Sequence, residues 1–194
     1  PLVQMEFRYM TKTPVELITN GFDECDFATE RCKEAEGGKD KDFIITHTGL
    51  FAADGNPTVL WDVLAEKCRK EDTFRKRLKI RLIGKTDEQI IRSVHDAGLK
   101  DNLVDMGYLP HSAAIDEQRR ASLLILPLRK EPEYKAVLPG KLFEYIASGR
   151  PVLGIGQKDG AMSMIMDDTG TGVVLEWEDK AAMELFIDGC WERH

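Results

Sequence analysis

The sequence predicts an α/β fold built on a doubly wound parallel sheet. Three observations predict it. Short β-branched or apolar runs alternate with charged, amphipathic runs, giving six strand–helix units in succession. Such alternation demands a parallel sheet with right-handed crossovers. One run, Ser122–Leu128 (SLLILPL), is apolar almost without a break, as a strand covered on both faces must be. Glycine closes several of the runs, among them Gly49, Gly84, Gly98 and Gly149, where a strand or helix has to stop.

Each element follows from its own residues. Lys41–Gly49 (KDFIITHTG) is a compact apolar strand. Pro57–Lys70 is a helix: Pro57 suits a first helical position, and Leu60, Val63, Leu64 and Cys68 recur at helical spacing. Lys79–Gly84 is the second strand. Asp87–Gly98 is a helix with an acidic first turn and a terminal glycine. Asn102–Leu109 and Ser112–Ala121 are the third pair, with Ser122–Leu128 and Gly140–Gly149 the fourth. Pro151–Gly156 precedes a short helix at Ala161–Asp168. Gly172–Glu178 and a helix from Asp179 complete the set. The result is a Rossmann-like domain over residues 40–194, whose ligand site lies where the strand order reverses, between the first and fourth strands. The loops to watch are Thr46–Pro57 and Pro127–Lys141. Residues 1–39 read differently. Val15–Thr19 is a candidate lone strand, Asn20–Asp23 (NGFD) a turn and Glu34–Lys41 a polar linker. The chain opens on Pro1, as expected of a piece of a longer protein.

Composition narrows the chemistry. Hydrophobic residues make up 42 % and charged residues 31 % of the chain, with a net charge of −7. An acidic chain without a clustered Lys/Arg stripe is a poor nucleic-acid binder. The four cysteines, Cys25, Cys32, Cys68 and Cys190, form no C-x-x-C pair, and no histidine stands at zinc-ligand spacing, so no metal site is expected. Asp167 and Asp168 have no second acidic cluster to complete a site. The Asp168–Gly172 stretch (DTGTG) lacks the lysine of a phosphate loop and reads as a turn. No apolar run reaches the length of a bilayer span, and no signal peptide precedes the fold. Lys67–Arg81 is charged and reads as a solvated helix face and loop.

The strongest local signal is Leu138–Gly156 (LPGKLFEYIASGRPVLGIG). A loop leaves a buried strand, turns through Pro139 and Gly140, and enters a helix whose first N–H groups are free for an anion. Gly140 lets a ligand approach the backbone, and Lys141 adds a positive charge. Glu144, about one turn in, offers a carboxylate to a pair of adjacent hydroxyls such as a ribose presents; the competing reading is a carboxylate that serves the helix dipole alone. Leu142, Phe143 and Ile146 are core positions, and Tyr145 reads as packing. His47, at a strand end beside the expected switch point, is either a packed histidine or a ligand contact. His95 reads as surface, His111 as a helix-flanking residue, and Trp61, Trp177 and Trp191 as packing.

This segment resembles the signature helix of glycosyltransferase group 1 (family 4), enzymes of the two-domain GT-B architecture: Glu144, Ala147, Ser148, Gly149, Pro151 and Val152 stand where the family has its Glu, small residue, Gly and Pro-Val. The resemblance extends along nearly the whole chain, with Asn20–Asp23 similar to the interdomain hinge, His47–Phe51 (HTGLF) to the glycine loop, and Arg81–Lys85 and Met106–Pro110 to the second strand and the base-contacting loop. It implies that this chain is the C-terminal, nucleotide-sugar-binding half, with residues 1–39 a linker or stub of an N-terminal acceptor domain. It further implies that Glu144 binds the donor ribose and that backbone N–H groups around Gly140, Lys141 and Leu142 face the diphosphate. Thr48 and Gly49 would border the donor phosphate, and Tyr108 and Leu109 the nucleobase. Transfer would retain configuration and use no metal or other cofactor, the nucleotide sugar being the substrate. The acceptor would be a hydroxyl of a sugar or lipid-linked sugar, and the setting cell-surface polysaccharide or glycolipid synthesis, in the cytoplasm or against the inner face of the membrane. No catalytic acid or base is assigned to this half, so the piece alone is expected to be inactive.

The sequence departs from the family pattern at three places. Ala136 stands eight residues before Glu144, where a second Glu is usual. Leu50 follows Gly49, where an Arg is usual. Asp54–Pro57 (DGNP) fills the region of a usual Lys. Lys141, Arg129, Lys130 and Lys135 are the candidate replacements. Two further readings stay open: a GT-B-like nucleotide-binding or regulatory module without turnover, and a nucleotide-sugar 2-epimerase.

Overall fold

The computed structural model describes residues 20–27 and 42–194. The lone strand at Val15–Thr19, the linker at Glu34–Lys41 and Cys32 lie outside the described residues. Six strands form one sheet: β1 (Phe43–Thr48), β2 (Leu78–Ile83), β3 (Leu103–Gly107), β4 (Leu123–Pro127), β5 (Val152–Ile155) and β6 (Gly172–Leu175). All pairings are parallel, in the order β3-β2-β1-β4-β5-β6. The order reverses between β1 and β4, as the usual order of a six-stranded doubly wound sheet predicts. The helices are α1 (Glu24–Phe27), α2 (Thr58–Lys70), α3 (Asp72–Arg77), α4 (Glu88–Asp96), α5 (His111–Arg120), α6 (Gly140–Ser148), α7 (Ala161–Thr169) and α8 (Lys180–Glu192).

Burial explains the strand runs. β1 is buried along its whole length, which is why Phe43–Ile45 carry no polar residue. Two apolar clusters flank the sheet. One gathers Phe43, Ile45, Trp61, Leu64, Phe74, Ile80 and Ile187 from the strands and α2, α3 and α8. The other gathers Leu124, Leu142, Tyr145, Val152 and Met166 from the opposite face. Trp61 is 1 % exposed; Trp177 and Trp191 are half-buried and pack against the first cluster. The stretch read as a solvated face contains a second helix, α3, because Phe74 is fully buried and turns its neighbours Asp72, Arg75 and Lys76 outward.

The glycines at the strand ends do specific work. Gly84 follows β2 with φ +112°, and a Cβ there would lie 2.3 Å from the Gly49 carbonyl oxygen. The same residue donates its N–H to Gly107 O at 2.7 Å, and Gly49 donates to Ile83 O at 2.7 Å. The ends of β1, β2 and β3 are thereby drawn together. His47 is 4 % exposed, and its ring stacks on Phe51 at 4.2 Å. Burial, followed by the positive charge of Lys141 opposite, pushes the imidazole pKa down from 6.5 to about 3.

Gly84→Ala should destabilise the domain by about 3 kcal/mol or more, because the clash is with backbone. Gly98→Ala, at φ +87° with nothing within 4 Å, should cost only about 1–2 kcal/mol; denaturant unfolding of the pair decides between clash and torsion. His47 must gain a proton on unfolding between pH 6.5 and 3. Its contribution is therefore complete above pH 6.5 and falls as the pH drops toward 3, by up to about 1.4 kcal/mol per pH unit. In His47→Leu the stability–pH slope over that window should be shallower than in the wild type.

Candidate functional site at the β1–β4 switch point

The site is built around α6. Leu142 and Tyr145, three residues apart, are fully buried, and they pin one face of the helix to the sheet. Lys141, Glu144 and Ser148 share the other face. Gly149 ends the helix in the left-handed conformation at φ +68°. At the start, the Leu142 N–H is donated to Pro139 O at 3.0 Å. Of the three amides expected to face an anion, those of Gly140 and Lys141 therefore have no acceptor among the described residues.

The polar groups at this end form one connected set. Tyr145 Oη accepts the Thr48 N–H at 2.9 Å and lies 3.3 Å from Thr48 Oγ1. Burial pushes the phenol pKa up to about 12, so Tyr145 keeps its proton and can donate to that oxygen. Gln118, fully buried on α5, donates from Nε2 to Thr48 Oγ1 at 3.1 Å and to Glu144 Oε2 at 2.9 Å. Lys141 Nζ donates to the same Glu144 oxygen at 2.7 Å. A Cβ on Gly49 would stand 3.5 Å from Lys141 Cε. The lysine stem thus lies over the glycine loop that follows β1.

The structure brings Glu144, Lys141, Gly140, Thr48 and Gly49 together. Leu142 contributes its side chain to the core. Tyr108, 89 % exposed, and Leu109, half-buried, follow β3 on the same end of the sheet, connected through the Gly107–Gly84–Gly49 contacts. Leu50 is 66 % exposed at the mouth. The other cations considered for phosphate are engaged: Arg129 with Asp54 at 3.0 Å, Lys130 with Glu178 at 2.6 Å and Lys135 with Asp159. Residues 20–27 sit beside this end: a Cβ on Gly140 would come within 3.8 Å of Asn20 Nδ2. His111 Nε2 pairs with Asp26 Oδ2 at 2.9 Å, and Arg119 bonds the Phe27 carbonyl.

Sequence reading missed two members of the set. Gln118 lies in the polar part (DEQRR) of the predicted third helix, with no local signal to single it out, and the role of Tyr145 depends on a partner 97 residues away. Among the described residues no group of three or more His, Cys, Asp or Glu is placed to hold a metal ion. None of the described helices is long and apolar enough to cross a membrane. Other concavities among the described residues lie elsewhere. One lies beside α2 and α8 and is lined by Val63, Glu66, Lys67, Lys70, Glu184 and Asp188; the other, at the opposite end of the sheet, is lined by Cys68, Arg69, Asp72, Arg75 and Asn102. Neither touches the polar set at the switch point.

Comparison with known proteins gives this geometry a family. The model of glycosyl transferases group 1 matches residues 42–189. No curated protein matches the chain in sequence. Among solved structures, WaaG, a glycosyltransferase involved in lipopolysaccharide biosynthesis, is similar at TM-score 0.70 and 14 % identity, over 97 % of this chain and 51 % of WaaG. An S. aureus TarM variant in complex with fondaparinux, α-GlcNAc-glycerol and UDP is similar at TM-score 0.65 and 15 % identity, over 97 % of this chain and 35 % of TarM. The C-terminal domain of the group 1 family protein LpcC from Francisella tularensis is similar at TM-score 0.61 and 18 % identity, over 89 % of this chain and 88 % of that domain. The chain thus spans about half of WaaG and about a third of TarM. With a six-stranded parallel Rossmann-like sheet and a family match over most of its length, the chain belongs to the glycosyl transferases group 1.

Proposed function

We propose that this chain is the donor-binding half of a retaining, hexosyltransferase-like GT-B enzyme, which moves a sugar from a nucleoside diphosphate to a hydroxyl acceptor. One observation carries the reading: the open N-terminus of α6, the Lys141 ammonium and the half-buried Glu144 carboxylate converge beside Gly49 at the switch in strand order. The diphosphate lies on the Gly140 and Lys141 amides with Lys141 as counter-charge. The ribose hydroxyls bond to Glu144. The base lies toward Tyr108 and Leu109. As the bond from the anomeric carbon to the diphosphate breaks, negative charge grows on the leaving oxygens, and the fixed helix end and Lys141 stabilise it without a metal ion. The acceptor, its binding groups and any acid–base residue come from a preceding N-terminal domain, so this chain alone turns nothing over. UDP on TarM and the lipopolysaccharide role of WaaG support a nucleotide-sugar donor and a cell-surface glycan or glycolipid product; the family resemblance sets the reaction in the cytoplasm or against the inner face of the membrane.

A second reading, a nucleotide-binding module without turnover, draws on Leu50 at the mouth and on the engagement of Arg129, Lys130 and Lys135 by carboxylates. Release of free sugar or transfer product by the full-length enzyme separates the two.

Calorimetric titration with UDP, GDP and ADP tests the first reading on this chain. One of them should bind at roughly micromolar to millimolar strength. Glu144→Ala should weaken it by about 1.5–3 kcal/mol, with the thermal midpoint unchanged or slightly lowered, since the carboxylate's bonds to Lys141 and Gln118 add only modestly to stability. Binding untouched by the substitution would refute the assignment of Glu144.

A further inference from the structure

We propose that Gln118 is a positioning residue for the donor ribose: its side-chain amide fixes the Glu144 carboxylate and ties it to the end of β1. The inference rests on Glu144 being the ribose ligand. Three observations lead to it.

The first is the placement of the amide. Gln118 is fully buried, yet its Nε2 bridges two groups from separate elements, Thr48 Oγ1 at 3.1 Å and Glu144 Oε2 at 2.9 Å. Thr48 is itself fastened to α6 through Tyr145. Glu144 is therefore held from its own helix and from β1 at once. A Glu side chain has several rotamers of similar energy. One oxygen caught between a buried amide and Lys141 leaves few of them. The ordering is done before the ligand arrives, which is what preorganisation means for affinity.

The second is the division of labour between the two carboxylate oxygens. Gln118 and Lys141 both bond Oε2. Oε1 has no partner among the described residues, and a carboxylate oxygen keeps two acceptor sites. The set leaves acceptor capacity on a group whose position is already determined.

The third is what the amide gives up. Gln118 Oε1 is buried with no hydrogen-bond partner. Turning the amide over would not cure this, because its carbonyl would then face the carboxylate, two acceptors without a proton between them. The orientation is therefore forced by Glu144. A Met or Leu of similar size would fill the same space and strand no polar atom. Next door, Glu117 pairs with Arg81 of β2 at 2.5 Å, which anchors α5 to the sheet independently of Gln118. The amide is thus not needed to hold its own helix.

The test separates ribose recognition from folding and from the rest of the nucleotide. UDP, GDP and ADP are each titrated against the 2′,3′-dideoxy form in wild type, Glu144→Ala, Gln118→Met and Gln118→Glu, after thermal unfolding confirms a folded domain. In the wild type the ribose form should bind at least about tenfold tighter, and Glu144→Ala should erase that preference. Gln118→Met should reduce it to less than about threefold while the dideoxy affinity stays within about twofold, because the diphosphate and base contacts persist. Gln118→Glu keeps the size and covers a failure of the Met variant to fold. It sets a second carboxylate against Glu144, with Lys141 the cation in contact, Tyr145 protonated and His47 neutral nearby. Its preference should be lost near pH 8 and return toward pH 5, as a shared proton restores a donor to Glu144 Oε2. An unchanged preference in both Gln118 variants, with Glu144→Ala still losing it, would overturn the inference and leave the ribose role of Glu144 standing. Equal loss for ribose and dideoxy forms would also overturn it, as a purely structural effect. Tight wild-type binding with no preference would instead remove the ribose role of Glu144 and this inference with it.

Discussion

The bond between the Thr48 amide and Tyr145 Oη is the constraint on which the site depends. A helix N-terminus attracts anions wherever it lies, but it serves a particular ligand only at a fixed distance from the other groups that hold it. Here one face of α6 is pinned by Leu142 and Tyr145, and the phenol reaches across to the last residue of β1. That single contact sets the Gly140–Lys141 amides against the Gly49 loop. Gly84 makes the loop possible from the other side, since only a residue without Cβ fits 2.3 Å from the Gly49 carbonyl. The core packing, the strand ends and the open helix end are therefore one structural problem with one solution.

Charge is handled just as locally. The chain carries a net charge of −7, so the overall field does not favour an anionic donor. At the start of α6 stands Lys141, whose partner, Glu144, belongs to the same site. The cations of the β4–α6 loop are bound to acidic residues of neighbouring loops, where they secure the loop rather than face the mouth. His47 stays neutral because it is buried beside Lys141, so the end of β1 adds no second charge. On the proposed reading, electrostatic support for a diphosphate comes chiefly from the open end of α6 and the Lys141 ammonium.

Much of this was legible in the sequence, for a physical reason. Parallel strands buried on both faces must be apolar throughout, so β1, β4 and β5 declare themselves, and the alternation, taken with the usual order of such sheets, places the switch point. The start of α6 was legible because proline, glycine, lysine and a carboxylate one turn in are local signals. α3 was not, since a single buried aromatic, Phe74, organises an otherwise charged run. Pro57 proved to cap α2 instead of opening it. Gln118 was least legible of all: its partners lie 26 and 70 residues away, and no local pattern distinguishes a buried glutamine in DEQRR from a solvated one. The same holds for Arg129, Lys130 and Lys135, whose carboxylate partners are set by loop packing. Local rules place the helix, and only tertiary structure shows which polar residues it recruits.

The measurement that tests the account most directly is an amide-resolved NMR titration of the isotope-labelled chain with the nucleoside diphosphate that binds. The largest shift changes should fall on Thr48, Gly49, Gly140, Lys141 and Glu144 and on the side-chain amide of Gln118, with Tyr108 and Leu109 following. Saturable binding that leaves these signals still, and moves instead those of Arg69, Arg75 and Asn102 at the opposite end of the sheet, would contradict it.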